Sequence, residues 1–303
     1  MYRGENIVIP DSLPYSTIPR IIHQTYPIHD LPDSLSKNVE NIKNINPNWE
    51  HKLYDDADIE DFISSQFGNR MLRIYRSIDP NYGAARADLF RYLVIYIYGG
   101  VYLDIKSSIV LPLDENLLED DRYVLSKWRN SFGEEHEGAG LSGPMKRIPG
   151  GEFQNWHIIS CPRHPLLKLV IDSIIRNILN YNPWINGVGK RAVIRMTGPI
   201  AYTITITKNL SQYEVRQVRN ETLLGMTYNT LPGVSDHKNL FVNHYSKNTD
   251  PLIIPSERTK FVWNTYSTIY RAMHPAIRIF KWLGMWSLAK LRFIKYKIKN
   301  SRS

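Results

Sequence analysis

Alternating apolar and polar positions divide the first third of the chain into strand-like and helix-like segments. Ile18 to Tyr26 reads as a first apolar strand. Pro32 to Ile45 reads as a helix, with Leu35, Val39 and Ile42 at spacings of four and three and Asp33 or Ser34 as its cap. Trp49 to Tyr54 alternates as a second strand, and Asp55-Asp56 opens a helix whose apolar stripe is Ile59, Phe62 and Ile63. Adjacent acids before a helical run satisfy its free N–H groups, so these two are read as caps rather than metal ligands. From Gly83 a further helical run carries Leu89, Tyr92, Leu93 and Tyr96 and is stopped by Gly99-Gly100. The strand Val101-Tyr102-Leu103 follows and delivers Asp104 to its carboxyl end. This alternation predicts an α/β domain with a mostly parallel central sheet flanked by helices, in which ligands bind at the carboxyl ends of strands.

The pattern loosens afterwards. Residues 129–152 are rich in glycine and charge and poor in apolar periodicity, which predicts a long mobile loop, a lid over a substrate site. Its Glu134, Glu135 and His136 read as a solvated charged cluster. Phe153 to Cys161 reads as a strand carrying Asn155 and Trp156, Leu166 to Leu179 as an apolar helix, and Thr197-Gly198-Pro199 as a bend into a helix ending at Lys208. Leu223 to Leu231 and Leu240 to Tyr245 look like closing strands, the second bearing His244. Gly187 to Lys190 is too short for a phosphate loop and reads as a turn.

Charge changes the picture at one end. The net charge of +9 is concentrated in the last segment: Arg258 to Arg302 contributes 11 of the 38 basic residues and no acid, which leaves residues 1–257 at −2. A general nucleic-acid surface is thereby disfavoured. We expect a body over 1–257 and a basic amphipathic helical tail over 258–303, in which Trp282 and Trp286 sit among lysines and arginines as in helices that lie on anionic membranes; the other reading is a last helix packed on the body with its basic face in solvent. The single cysteine, Cys161, excludes an intrachain disulfide and a cysteine-cluster zinc site. With no signal-like segment and no run of roughly 20 apolar residues, the expectation is a cytoplasmic protein, or one peripheral on the cytosolic face of a membrane.

Candidate chemistry centres on Asp79 to Ser108. Asp88 and Arg91, three apart, project from one face of their helix toward the rim where Asp104 emerges, so three polar groups converge. The stretch AARADLFRYLVIYIYGGVYLDIKS resembles the central motif of glycosyltransferase family 32, the sugar-binding region containing the DXD motif. IPRIIHQTYP at 18–27, NPNWEHKLYDD at 46–56, HPLL at 164–167, TGP at 197–199 and NHYS at 243–246 extend the resemblance in order.

The resemblance implies a single GT-A-type nucleotide-sugar-binding domain. It also implies an enzyme that moves a sugar, with retention, from a nucleoside diphosphate sugar to a hydroxyl of a glycan or glycolipid acceptor, as in polysaccharide biosynthesis. By the same resemblance His23, Gln24, Thr25 and Tyr26 lie at the nucleotide, with Tyr26 stacking on the base. Asp88, Arg91 and Asn155 hold the sugar, Tyr102 lies near the phosphate or ribose, and Asp104 bridges sugar and metal. A divalent ion, Mn2+ or Mg2+, would be held by Asp104 and His244. The sequence departs from the family pattern at Lys106, which stands where the second aspartate of the motif belongs. Lys106 is assigned to the catalytic set with Asp88, Arg91 and Asp104, where it either adds counter-charge for the diphosphate or turns away into solvent. The alternative is a non-catalytic member that binds nucleotide sugar or glycan.

Overall fold

A computed structural model describes residues 7, 9–13, 16–230, 248–255, 260, 261, 263–269 and 272. The described elements run in the order β1 (Ile21–Thr25), α1 (Asp33–Ile45), β2 (Glu50–Tyr54), α2 (Asp56–Ser77), α3 (Gly83–Tyr98), β3 (Gly100–Leu103), β4 (Ser108–Ile109), α4 (Leu113–Asn116) and β5 (Tyr123–Ser126). After these come β6 (His157–Ser160), α5 (Pro165–Leu179), α6 (Pro183–Asn186), α7 (Gly189–Met196), α8 (Pro199–Asn209), β7 (Arg216–Val218) and β8 (Met226–Thr227). Six strands form one sheet in the order β2-β1-β3-β6-β5-β7, and β4 pairs with β8 in a separate ribbon. β1 is parallel to β2 and β3, and β5 to β7. Only β6, antiparallel to both its neighbours, runs against the other five. The predicted α/β class and mostly parallel sheet are therefore present, and the carboxyl ends of β3, β5 and β7 share one rim.

Period-two alternation decides which helix faces which side. Val101 and Leu103 point to the face where Ile22, Ile42 of α1, Leu113 of α4, Val124 and Ile159 make a common core. Tyr102 points to the other face, where the Arg91 guanidinium of α3 lies 4.8 Å from its ring centre. α3 has almost no solvated side, because Asp88 through Tyr96 are all buried. Its exit into β3 is tight. Gly100 has φ +91°, and a Cβ there would stand 2.4 Å from the Ile21 carbonyl oxygen, so the close approach of β3 to β1 requires glycine.

Several local expectations are corrected. The helix over Asp33–Ile45 begins after Pro32 with no side-chain cap, so neither Asp33 nor Ser34 serves as one. Asp55 does cap α2: its carboxylate accepts from the N–H groups of Ala57 and Asp58, and the Asp58 carboxylate reciprocates to its N–H. Of Phe153–Cys161 only His157–Ser160 joins the sheet, with Phe153 making an isolated bridge to Lys127. The expected strand at Leu223–Leu231 is instead a 3-10 turn, Glu221–Leu224, followed by the two-residue β8. Leu240–Tyr245 lies outside the described residues.

Residues 129–152 form a folded excursion rather than an open loop. Asn130 Nδ2 donates to the carbonyls of Ala139 and Gly150, Trp128 Nε1 donates to Glu152 at 3.0 Å, and Met145 is fully buried. The described residues fall into two compact units, 1–248 with 252–254, and 249–251 with 255–303. In the second unit, residues 263–269 are helical. Among the described residues no helix is long and apolar enough to cross a membrane.

Candidate functional site

Because residues alternate along β3, Asp104 leaves the strand on the same face as Tyr102, the face covered by α3. Its backbone is fixed on several sides: its N–H donates to the Trp156 carbonyl at 2.8 Å, and its carbonyl accepts from Ser107 N–H at 2.8 Å and from Gln24 Nε2 at 3.4 Å. The carboxylate accepts from Arg91 Nη2 at 3.0 Å and from the Tyr102 hydroxyl at 3.4 Å.

Asp88, one helical turn before Arg91, completes the cluster. Its Oδ1 lies 3.4 Å from Arg91 Nη2 and accepts from Asn155 Nδ2 at 3.0 Å, while its Oδ2 accepts from the Thr197 hydroxyl at 2.9 Å. Arg91 also donates through Nε to the Ala87 carbonyl and through Nη1 to the Asn155 carbonyl, so four of its five N–H groups are engaged. The Asp88 and Arg91 side chains are 7% and 5% exposed, whereas that of Asp104 is 23% exposed and is the member open to a ligand.

Burial shifts the charges of this cluster. It raises the Asp88 carboxyl to about 6, against the opposing pull of Arg91, Thr197 and Asn155. Burial also opposes the charge on Arg91, but Asp104, Tyr102 and Asp88 together outweigh it and raise its pKa.

The network gathers Asp88, Arg91, Tyr102, Asp104 and Asn155, with Gln24 supporting the Asp104 backbone. His23 stands apart: it is fully buried, with Nδ1 3.0 Å from the Tyr54 hydroxyl and Nε2 3.1 Å from the Gly99 carbonyl, and burial lowers its pKa to about 3. Thr25 donates to the Tyr54 carbonyl at 3.1 Å, and Tyr26 packs half-buried beside Leu35, Val39 and Ile105. Two members were not singled out from the sequence as site residues. Thr197 belongs to the TGP motif, which carried a usable signal. Tyr92, whose hydroxyl accepts from Asn155 and donates to the Thr197 carbonyl, reads in the sequence only as an apolar helix position.

Lys106 follows in the turn after β3. Its ammonium donates to the Tyr228 hydroxyl at 2.7 Å and sits 4.0 Å from that ring centre. Tyr228 packs on Trp128, His136 and Trp156. A divalent ion finds a poor donor set among the described residues. One carboxylate, Asp104, is already paired with Arg91, and the second motif position presents a cation. His244 lies outside the described residues. His29, Asp55 and Asp58 are the one group of three candidate ligands close together among the described residues, but Asp55 is committed to capping α2.

Residues 32–124 match the family described as the glycosyltransferase sugar-binding region containing the DXD motif, so the resemblance read from the motifs holds over that segment. The chain is 28% identical over 192 residues to the mannosyl phosphorylinositol ceramide synthase CSH1 of Saccharomyces cerevisiae, covering 63% of this chain and 43% of that one. It is 27% identical over 190 residues to the inositol phosphoceramide mannosyltransferase 3 of Schizosaccharomyces pombe, covering 62% and 45%. The chain thus spans less than half the length of these relatives. Among solved structures it resembles the ligand-free glycosyltransferase domain of the YGT toxin, at 9% identity and a TM-score of 0.48 over 75% of this chain and 84% of that one, a likeness too slight to argue from.

Proposed function

We propose that this chain, with the sugar-binding region of DXD glycosyltransferases across residues 32–124, is a retaining glycosyltransferase of GT-A type. It moves a hexose from a nucleoside diphosphate sugar to a hydroxyl of a glycan or glycolipid. The yeast relatives' names support mannose as the sugar and a lipid of the inositol phosphoceramide kind as the acceptor class. The observation that carries the reading is the half-open Asp104 carboxylate at the carboxyl end of β3, backed by a nearly sealed Arg91 and Asp88.

In this reading Asp104 accepts hydrogen bonds from the donor, and the remaining N–H of Arg91 points a positive charge at a sugar oxygen. Asp88 and Asn155 hold the guanidinium in one pose, which supplies orientation before reaction begins. Tyr26 and the strand end at Gln24 and Thr25 face the nucleotide. Lys106 supplies counter-charge to the leaving diphosphate, so a divalent ion contributes less than in transferases with two motif carboxylates. No general base is assigned. The division into a catalytic body over 1–257 and a basic tail over 258–303, which docks on an anionic membrane surface, belongs to the same proposal.

The test is release of nucleoside diphosphate from UDP- and GDP-hexoses, with proton NMR following the anomeric configuration, in manganese and in chelator. Wild type should release nucleotide and Asp104→Asn should not. Equal release by both would sink the assignment of the site. Strict manganese dependence of wild type, with unchanged behaviour of Lys106→Ala, would remove Lys106 from the mechanism.

A further inference from the structure

A cavity of about 510 Å³, within the range of small-molecule sites, lies on the rim where β5 and β7 end. Its walls include Lys127, Trp128, Arg129, Glu134, Arg219 and Asn220. Two of the cations are compensated by the excursion at 129–152: Arg129 pairs with Glu135 at 3.2 Å and Arg219 with Glu134 at 3.4 Å. Lys127 is not. Its ammonium donates to the carbonyls of Pro149 and Gly151 and stands 4.6 Å from the Phe153 ring centre, with no carboxylate partner among the described residues. That leaves one of its three N–H groups for something else.

A half-buried cation satisfied only by dipoles is costly unless an anion completes it. A second atom is also left over: Asn220 Oδ1 is buried without a hydrogen-bond partner among the described residues, an acceptor waiting for a donor. One ligand answering both needs carries an anionic group and a hydroxyl, with the partly exposed Trp128 offering an apolar face to its carbon skeleton. The cavity is tied to the site at Asp104 by contact. Trp128 packs at 4.9 Å on Tyr228, whose hydroxyl holds Lys106, two residues beyond Asp104.

We propose that this cavity is the acceptor subsite and takes a polyol phosphate, its phosphate on Lys127 and Arg219 and a hydroxyl on Asn220; the word acceptor rests on the transferase reading, but the site does not. The probe is myo-inositol 1-phosphate, titrated calorimetrically into the full chain beside myo-inositol and inorganic phosphate. The phosphate ester should bind about tenfold or more tightly than either fragment, and Lys127→Met should weaken it by about tenfold. Arg219→Gln, at a position 76% exposed and so harmless to folding, should weaken it several-fold. Unchanged affinity in both variants, or equal binding of the neutral polyol, would overturn the proposal; equal binding of inorganic phosphate would overturn the polyol part and leave a phosphate site only. Binding of UDP- and GDP-hexoses to the same wild-type sample separates the two readings. Donor binding without inositol phosphate binding removes the subsite alone, and the reverse removes the transferase reading alone.

Discussion

At the end of β3, Arg91 is flanked by two carboxylates and nearly sealed, whereas at the end of β5 Lys127 faces a cavity and is paired with no carboxylate among the described residues. Both stand on one rim of one sheet, so the difference lies in what each neighbourhood supplies. Around Arg91 the protein satisfies its own charges and holds a fixed arrangement. Around Lys127 it leaves a charge and an amide oxygen for a partner to satisfy. Geometry that must be ready before a ligand arrives is built internally, and recognition of a ligand is built by leaving groups incomplete.

The largest expected effect breaks the closed side. Arg91→Ala leaves Asp88 and Asp104 as neighbouring carboxylates without their cation, and it should cost about 3–5 kcal/mol in folding, measured by urea unfolding at pH 7. A loss below about 1 kcal/mol would mean that the cluster is not a structural unit.

Asp88 gives the next effect, through pH. Its carboxyl is raised to about 6 in the folded chain, above an ordinary value of about 4. Between those values the folded state holds a proton that the unfolded state has lost. Stability should therefore fall as pH rises from about 4 to about 6 and level off above, by roughly 3 kcal/mol in all. Unfolding midpoints at pH 4.5 and 7 read this contribution, and Asp88→Asn should abolish it.

Tyr228→Phe tests the join between the two sides, since Tyr228 holds Lys106 and packs on Trp128. Removing one hydroxyl from a partly exposed pair should cost about 1 kcal/mol in a urea titration. Smallest is Lys127→Met. If the cavity side is incomplete by design, its stability should change by less than about 1 kcal/mol in the same measurement, although its affinity for the phosphate probe falls tenfold. A loss as large as that of Arg91→Ala would make Lys127 a structural clasp and erase the contrast.

What the sequence made legible follows the range of the interactions. β1, α1, β2, α2, α3 and β3 could be read because each is a local pattern, and Asp88, Arg91 and Asp104 because helix spacing and a strand end bring them together within 17 positions. The contacts that complete the site are distant: Thr197 reaches Asp88 across 109 positions and Tyr228 reaches Lys106 across 122. No periodicity reports them. The folding of the excursion at 129–152 was not legible, because it is held by side chains meeting backbone carbonyls, as Asn130 does with Ala139 and Gly150, and such bonds leave no hydrophobic signature. β8 is too short to carry a pattern.

The antiparallel β6 imposes a timetable on synthesis. The strands of β2-β1-β3 emerge early and can pair, but the outer edge of β3 stays without its neighbour until His157–Ser160 leaves the ribosome. β3 is apolar and wholly buried in the finished chain, so for more than 50 residues of elongation a sticky edge is uncovered. During that interval the edge can pair with any strand that reaches it before β6 does.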